Sequence, residues 1–135
     1  MPFIVDTNIL SEAFKRNPNQ AVTDWLTAQD QLAVSTITLE ELTYGLDHRK
    51  SPTKMAWLQS LLTRRCELLP VTSEIATRSA LMRSQFRKQG ITRSQPDMLI
   101  AATAAQYNLT VATRNTKDFQ ACNLQLFDPF RGEYL

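Results

Sequence analysis

The sequence predicts an α/β fold: a three-layer α/β/α arrangement in which one parallel sheet of about five strands is covered by helices on both faces. Two observations carry that prediction. Short apolar runs of strand length alternate with longer segments of helical periodicity along the whole chain. The apolar runs are continuous rather than alternating, as strands buried on both sides are. A third observation bounds the size. The chain has 135 residues, 43% apolar and 21% charged, which suits one domain spanning residues 1–135.

"PFIV" (2–5) reads as the first strand. "TNILSEAFK" (7–15) reads as a helix that breaks near Pro18. "NQAVTDWLTAQD" (19–30) follows as a second helix, with Val22, Trp25, Leu26 and Gln29 at helical spacing. "LAVS" (32–35) is a short buried strand. "TLEELTYGL" (38–46) sets Leu39, Leu42 and Leu46 on one helical face, with Gly45 near its end. "PTKMAWLQSLLTRR" (52–65) is a helix with Pro52 in its first turn, where a missing N–H costs nothing. "CELLPV" (66–71) is a strand that Pro70 ends or moves to an edge. "SEIATRSALMRSQFRKQG" (73–90) is a long amphipathic helix stopped by Gly90. "PDMLIAATAAQY" (96–107) is a helix with almost no polar face, so it belongs inside. "LTVAT" (109–113) and "LQLF" (124–127) are the last strands, flanking a short helical turn.

Charge and cysteine content exclude little and favour one setting. The net charge of +2 does not by itself establish a nucleic-acid partner. Cys66 and Cys122 read as two free thiols in a reducing cytosol. No apolar run reaches membrane-spanning length and no signal segment opens the chain, so a cytoplasmic protein without a membrane partner is expected. The three glycines, Gly45, Gly90 and Gly132, cannot build a dinucleotide or nucleotide-phosphate loop.

In a parallel sheet, sites form beyond the carboxyl ends of the strands. Asp6 directly follows the first strand, Glu41 lies six residues after the second in the first turn of its helix, and Asp118 lies five residues after the fourth. Asp97 opens the buried helix and joins them if that helix packs across the same edge. Each acid also has a plain reading as a helix cap: Thr38 with Glu41 forms T-x-x-E, and Asn115 with Asp118 a similar pattern. Taken together the caps explain less, because separate caps need not share one rim. Two carboxylates 5–6 Å apart repel by about 3 kcal/mol at an effective dielectric near 20. A convergent set therefore calls for protons, cationic partners or a metal. Oxygen-only ligands suit Mg²⁺ or Mn²⁺, and the lone His48 reads as an exposed loop or helix-end residue.

The spaced segments "IVDTNIL", "STITLEELTYG", "DMLIAATA" and "TRNTKDF" resemble the PIN-domain ribonucleases, most closely the VapC-type toxins of bacterial toxin–antitoxin pairs. The resemblance runs through nearly the whole chain. It implies a PIN-like fold and RNA phosphodiester cleavage dependent on Mg²⁺ or Mn²⁺, with Asp6, Glu41, Asp97 and Asp118 as catalytic and metal-holding acids. Glu41, rather than Glu40, has the family's spacing to Gly45. Thr7, Asn8, Thr113 and Asn115 match polar positions expected to support those acids or touch substrate. It further implies a homodimer and a hetero-oligomer with a DNA-binding antitoxin whose C-terminal segment blocks the acidic groove.

Arg78, Arg83, Arg87, Lys88 and Arg93 lie in a stretch without acids, and Arg114 and Lys117 flank the last motif; this band is the expected RNA track, against the plain reading of a solvated helix face. Trp25, Trp57 and Tyr44 read as core rather than base-stacking residues. Other chemistries fit less well. An aspartate-nucleophile phosphatase wants D-x-D where Asn8 stands, and a receiver domain wants paired acids and a late lysine. A binding module that acts on DNA through its partner, and a nuclease for structured DNA, are the competing functions.

Overall fold

The computed structural model describes residues 2–135. Its strands are β1 (Phe3–Val5), β2 (Leu32–Ser35), β3 (Cys66–Leu69), β4 (Thr110–Ala112), β5 (Leu126–Asp128) and β6 (Glu133–Tyr134). Its α-helices are α1 (Thr7–Ala13), α2 (Gln20–Ala28), α3 (Thr36–His48), α4 (Pro52–Arg65), α5 (Ser73–Lys88) and α6 (Gln95–Tyr107); a 3₁₀ turn covers Thr116–Phe119. One sheet runs in the order β3-β2-β1-β4-β5-β6. The first five strands are mutually parallel, and β6 pairs antiparallel with β5 through Phe127–Tyr134 and Asp128–Glu133.

The period of two in each strand divides the core. Phe3 and Val5 of β1, with Leu32 and Val34 of β2, face a layer built by α1, α2, α3 and α4. Ile4 and Ala33, between them, face the opposite layer with Met98, Ile100, Ala101 and Ala104 of α6 and Phe86 of α5. Residues 98–104 of α6 are all buried, as its missing polar face requires.

Caps set the helix limits. Thr72 caps α5 by accepting from Ile75 N–H, and Ser94 caps α6 by accepting from Asp97 N–H. The far end of α5 is a Schellman motif: Gly90, at φ 79°, donates to the Arg87 carbonyl while Ile91 donates to Phe86. Asn108, at φ 55°, ends α6 in the same left-handed conformation.

The structure corrects four expectations. The sheet has a sixth, antiparallel strand where residues 131–135 carried no strand-length apolar pattern. Helix α3 begins at Thr36, capped by Ser35 through Ile37 N–H, so Thr38 and Glu41 form no capping box and Glu41 sits in the second turn. Asn115 precedes the 3₁₀ turn without a side-chain cap. Tyr44 is 68% exposed and Trp57 43%, so neither is a core residue, although Trp57 does edge onto Phe14; Trp25 packs against the core beside Phe3 and Phe127. Cys66 and Cys122 are free thiols, and His48 ends α3 in the open.

A candidate active site at the carboxyl edge of the sheet

Asp6 follows β1 at the carboxyl edge and is 5% exposed. It has two roles at once. One oxygen accepts from the Thr7 amide at 2.8 Å and so caps α1; the other accepts from the Thr113 hydroxyl at 2.8 Å, across 107 residues of sequence. β1 and β4 are neighbours in the sheet, and this places Thr113, just past β4, beside Asp6. The Thr113 oxygen also accepts from Asn115 N–H, which fixes its donor toward the carboxylate.

The second acid arrives through Thr7. Its hydroxyl lies 2.7 Å from Glu41 Oε1 and 3.1 Å from Thr38 Oγ1. One hydroxyl proton serves one acceptor, and the carboxylate is the stronger. Thr38 is wholly buried on α3 one turn before Glu41 and holds Thr7 from the other side. Neither the sequence periodicity nor the capping pattern singles out Thr38 for this. Asp97 occupies the first turn of α6, half-buried, next to the Ser94 cap. "SQPD" carries that S-x-x-D pattern in the sequence, and it would have identified Ser94.

The acids act on one another pairwise: Asp6 feels Asp97 and Glu41, and Asp97 feels Asp118 and Glu41. Burial pushes Asp6 up to about 6, and the charges of Asp97 and Glu41 add to the rise, while the Thr113 and Thr7 hydrogen bonds oppose it. Asp97 is also raised, first by burial, then by Asp118 and Glu41, against the Ser94 hydrogen bond and the charge of Arg93. Asp118 lies on the 3₁₀ turn, half-buried. Among the described residues, neither ion pair involves any of the four acids. Asn8, beside Thr7 on α1, keeps a buried Oδ1 with no partner.

As placed, no three His, Cys, Asp or Glu side chains among the described residues stand close enough together to hold a metal ion. Asp6 and Glu41 are turned onto their threonine donors instead. The chemistry of the donor set nevertheless fits a hard divalent cation: oxygen-only ligands, mutually repelling, one of them buried and without a cationic partner.

The basic residues divide. Arg93 turns inward: its guanidinium lies 4.2 Å from the Phe86 ring centroid and donates to the Asp118 carbonyl at 2.7 Å. Arg114 lies over the Phe130 ring at 4.4 Å, and Lys117 is exposed. Arg78 lines one groove of α5 with Leu81 and Gln85; Arg83 and Arg87 line another; Lys88 is exposed at the helix end. Arg93 was expected with the RNA-contacting cations, and its head is instead engaged within the protein.

A family model described as "PIN domain" matches residues 3–122. The chain belongs to the PIN-domain family. Among its relatives, "VapC ribonuclease Y4jK" of Sinorhizobium fredii is 31% identical over 94% of this chain and 96% of its own. The solved FitAcB structure from Neisseria gonorrhoeae superposes with a TM-score of 0.80 at 32% identity, covering 95% of this chain and 98% of that one. VapBC2 from Rickettsia felis, solved bound to a DNA fragment from its promoter, gives 0.81 at 27% identity over 93% and 97%. This PIN domain is thus of VapC type, and the mixed, mostly parallel sheet with six helices is the PIN fold.

Proposed function

We propose that this PIN domain is the toxin of a toxin–antitoxin pair, an endoribonuclease dependent on Mg²⁺ or Mn²⁺. The observation that carries the reading is the cluster of acids at the carboxyl edge of the sheet, in which Asp6 stays buried without a cationic partner. Buried charge without compensation is costly, and it persists where a site uses it. Asp6, Glu41, Asp97 and Asp118 would hold the cation, with Asp6 and Asp97 central. A divalent cation bound there supplies Lewis-acid activation of the scissile phosphate and of the attacking water.

The chain's own residues prepare that chemistry. Thr113 and the Thr7 amide fix both oxygens of Asp6. Thr7 fixes Glu41, and Ser94 fixes the start of the helix that carries Asp97. With a pKa of about 6, Asp6 is mostly ionised at neutral pH and available as a ligand. No histidine lies in the site to serve as general base; His48 closes α3.

The relatives support a partner. A further similar structure, from Klebsiella pneumoniae, is a toxin–antitoxin complex by its name, and VapBC2 was solved on promoter DNA. We extend this to a DNA-binding antitoxin whose C-terminal segment covers the acidic groove, to a homodimer of this chain within a hetero-oligomer, and to a cytoplasmic setting; among the described residues no helix is long and apolar enough to cross a membrane. The whole chain, residues 1–135, works as one domain.

The test is direct. The purified chain is incubated with total RNA in Mg²⁺, Mn²⁺ or EDTA, and new 5′ ends are mapped. Discrete metal-dependent cleavage is expected, absent in a folded Asp97→Asn variant. Cleavage by that variant, or none by the unmodified chain with either metal, overturns the reading.

A further inference from the structure

The Schellman turn at Gly90 folds the chain back along the last turns of α5. Ile91, Thr92 and Arg93 thereby close a pocket of about 220 Å³ against Arg83, Ser84 and Arg87. Arg83 Nε donates to the Arg93 carbonyl at 3.4 Å. Arg93 forms the floor, stacked on Phe86 and tied to the backbone of Asp118. One residue later, Ser94 caps the helix that carries Asp97. The pocket is therefore built onto the segments that hold two of the four acids.

Its charge lacks a partner. Arg83 and Arg87 are exposed, one helical turn apart, and enter neither of the ion pairs found among the described residues. Like charges at this spacing repel. The negative end of the α5 dipole favours Arg87 and Lys88 in the last turn but not Arg83, a turn earlier. Two guanidinium forks beside the hydroxyls of Ser84 and Thr92 match the donors a phosphate takes, and no aromatic ring lines the pocket to stack a base.

We propose that this arginine pocket binds a backbone phosphate of the RNA strand and so sets the strand's register on the carboxylate site. This rests on the nuclease reading for its substrate. Recognition here is independent of base sequence, since phosphate contacts position a strand without reading it.

The experiment uses the full chain carrying Asp97→Asn, in metal-free buffer, and follows a labelled single-stranded RNA by fluorescence anisotropy across a salt series. Arg83→Ala with Arg87→Ala is expected to weaken binding and to flatten the log–log salt dependence by about 0.7, the contribution of one neutralised phosphate on a single strand. Lys54→Ala with Arg64→Ala removes two exposed charges from α4, on the other sheet face, and is expected to leave that slope in place. Arg83→Lys with Arg87→Lys guards against misfolding: charge and slope are expected to persist while affinity falls. Equal slopes for the Arg83/Arg87 alanine variant and the Asp97→Asn parent, or an equal loss in the α4 control, overturn the proposal; so does a pocket that takes only an acidic peptide. A chain that binds RNA through these arginines yet never cleaves it would refute the nuclease reading alone. Metal-dependent cleavage with unchanged binding by the Arg83/Arg87 variant would refute the pocket alone.

Discussion

Helix α1 carries a buried acid at each end, and the protein treats them oppositely. Glu12, in the last turn, is 6% exposed; it accepts from Lys15 Nζ at 2.9 Å and from the Asn19 amide at 2.8 Å. The Lys15 contact and the Asn19 amide hold its carboxyl below the usual glutamate range. Asp6, at the first turn, is buried to the same degree and has two neutral donors, no cation and other acids nearby, and it is pushed up to about 6. Burial alone does not distinguish a structural acid from a working one. The compensation supplied around it does.

The sharpest way to break this contrast is to neutralise each acid in turn. Asp6→Asn should lose RNA cleavage altogether, yet in EDTA its thermal midpoint should stay level or rise, because the repulsion from Asp97 and Glu41 is relieved. A marked fall in that midpoint would make Asp6 a structural acid like Glu12.

The pH dependence sharpens it next. The folded pKa of Asp6 lies above that of an ordinary aspartate, so its stabilising contribution is complete below about pH 4 and is lost as pH rises through about 6. In metal-free buffer this loss amounts to about 3 kcal/mol for Asp6. Denaturant midpoints from pH 4 to 7 should fall more steeply for the unmodified chain than for Asp6→Asn; parallel curves would contradict the raised value.

Thr113→Val tests the donor rather than the acid. It removes the hydroxyl that favours ionised Asp6, so cleavage should drop about 10–100-fold, as for partners that orient a metal ligand. Higher Mn²⁺ should recover part of that loss, which activity measured against metal concentration would show. Glu12→Gln should have the smallest effect, a loss of about 1 kcal/mol in urea unfolding with RNA cleavage retained.

Much of this was legible in the sequence for physical reasons. Continuous apolar runs of three to five residues alternating with helical segments fit strands covered on both faces, and in a parallel sheet acids just after them lie at its carboxyl edge. Asp6, Glu41, Asp97 and Asp118 are put forward as site residues by that logic and by their family spacing. What escaped depends on long-range contact. β6 has two residues, both exposed, and exists because Phe127 and Asp128 offer it an edge. The T-x-x-E pattern at Thr38 misled, since Ser35 caps the helix a turn earlier and frees Thr38 and Glu41 for Thr7. Nothing in the local pattern marks Glu12, whose burial depends on Asn19 seven residues on. Arg93 looked like its basic neighbours, and only the packing of Phe86 and the Asp118 turn brings it inward.

The hydrogen bond from Thr113 to Asp6 joins residues 107 apart, and β1 lies in the sheet between β2 and β4. That geometry sets a clock on the ribosome. At about 5–20 residues per second, the strand bearing the first acid waits roughly 5–20 s for the residues that hold its carboxylate. A nascent chain released between residues 97 and 117 would carry Asp6, Glu41 and Asp97 but lack Asp118. If the proposed four-acid site is right, such truncated products would be unable to assemble it.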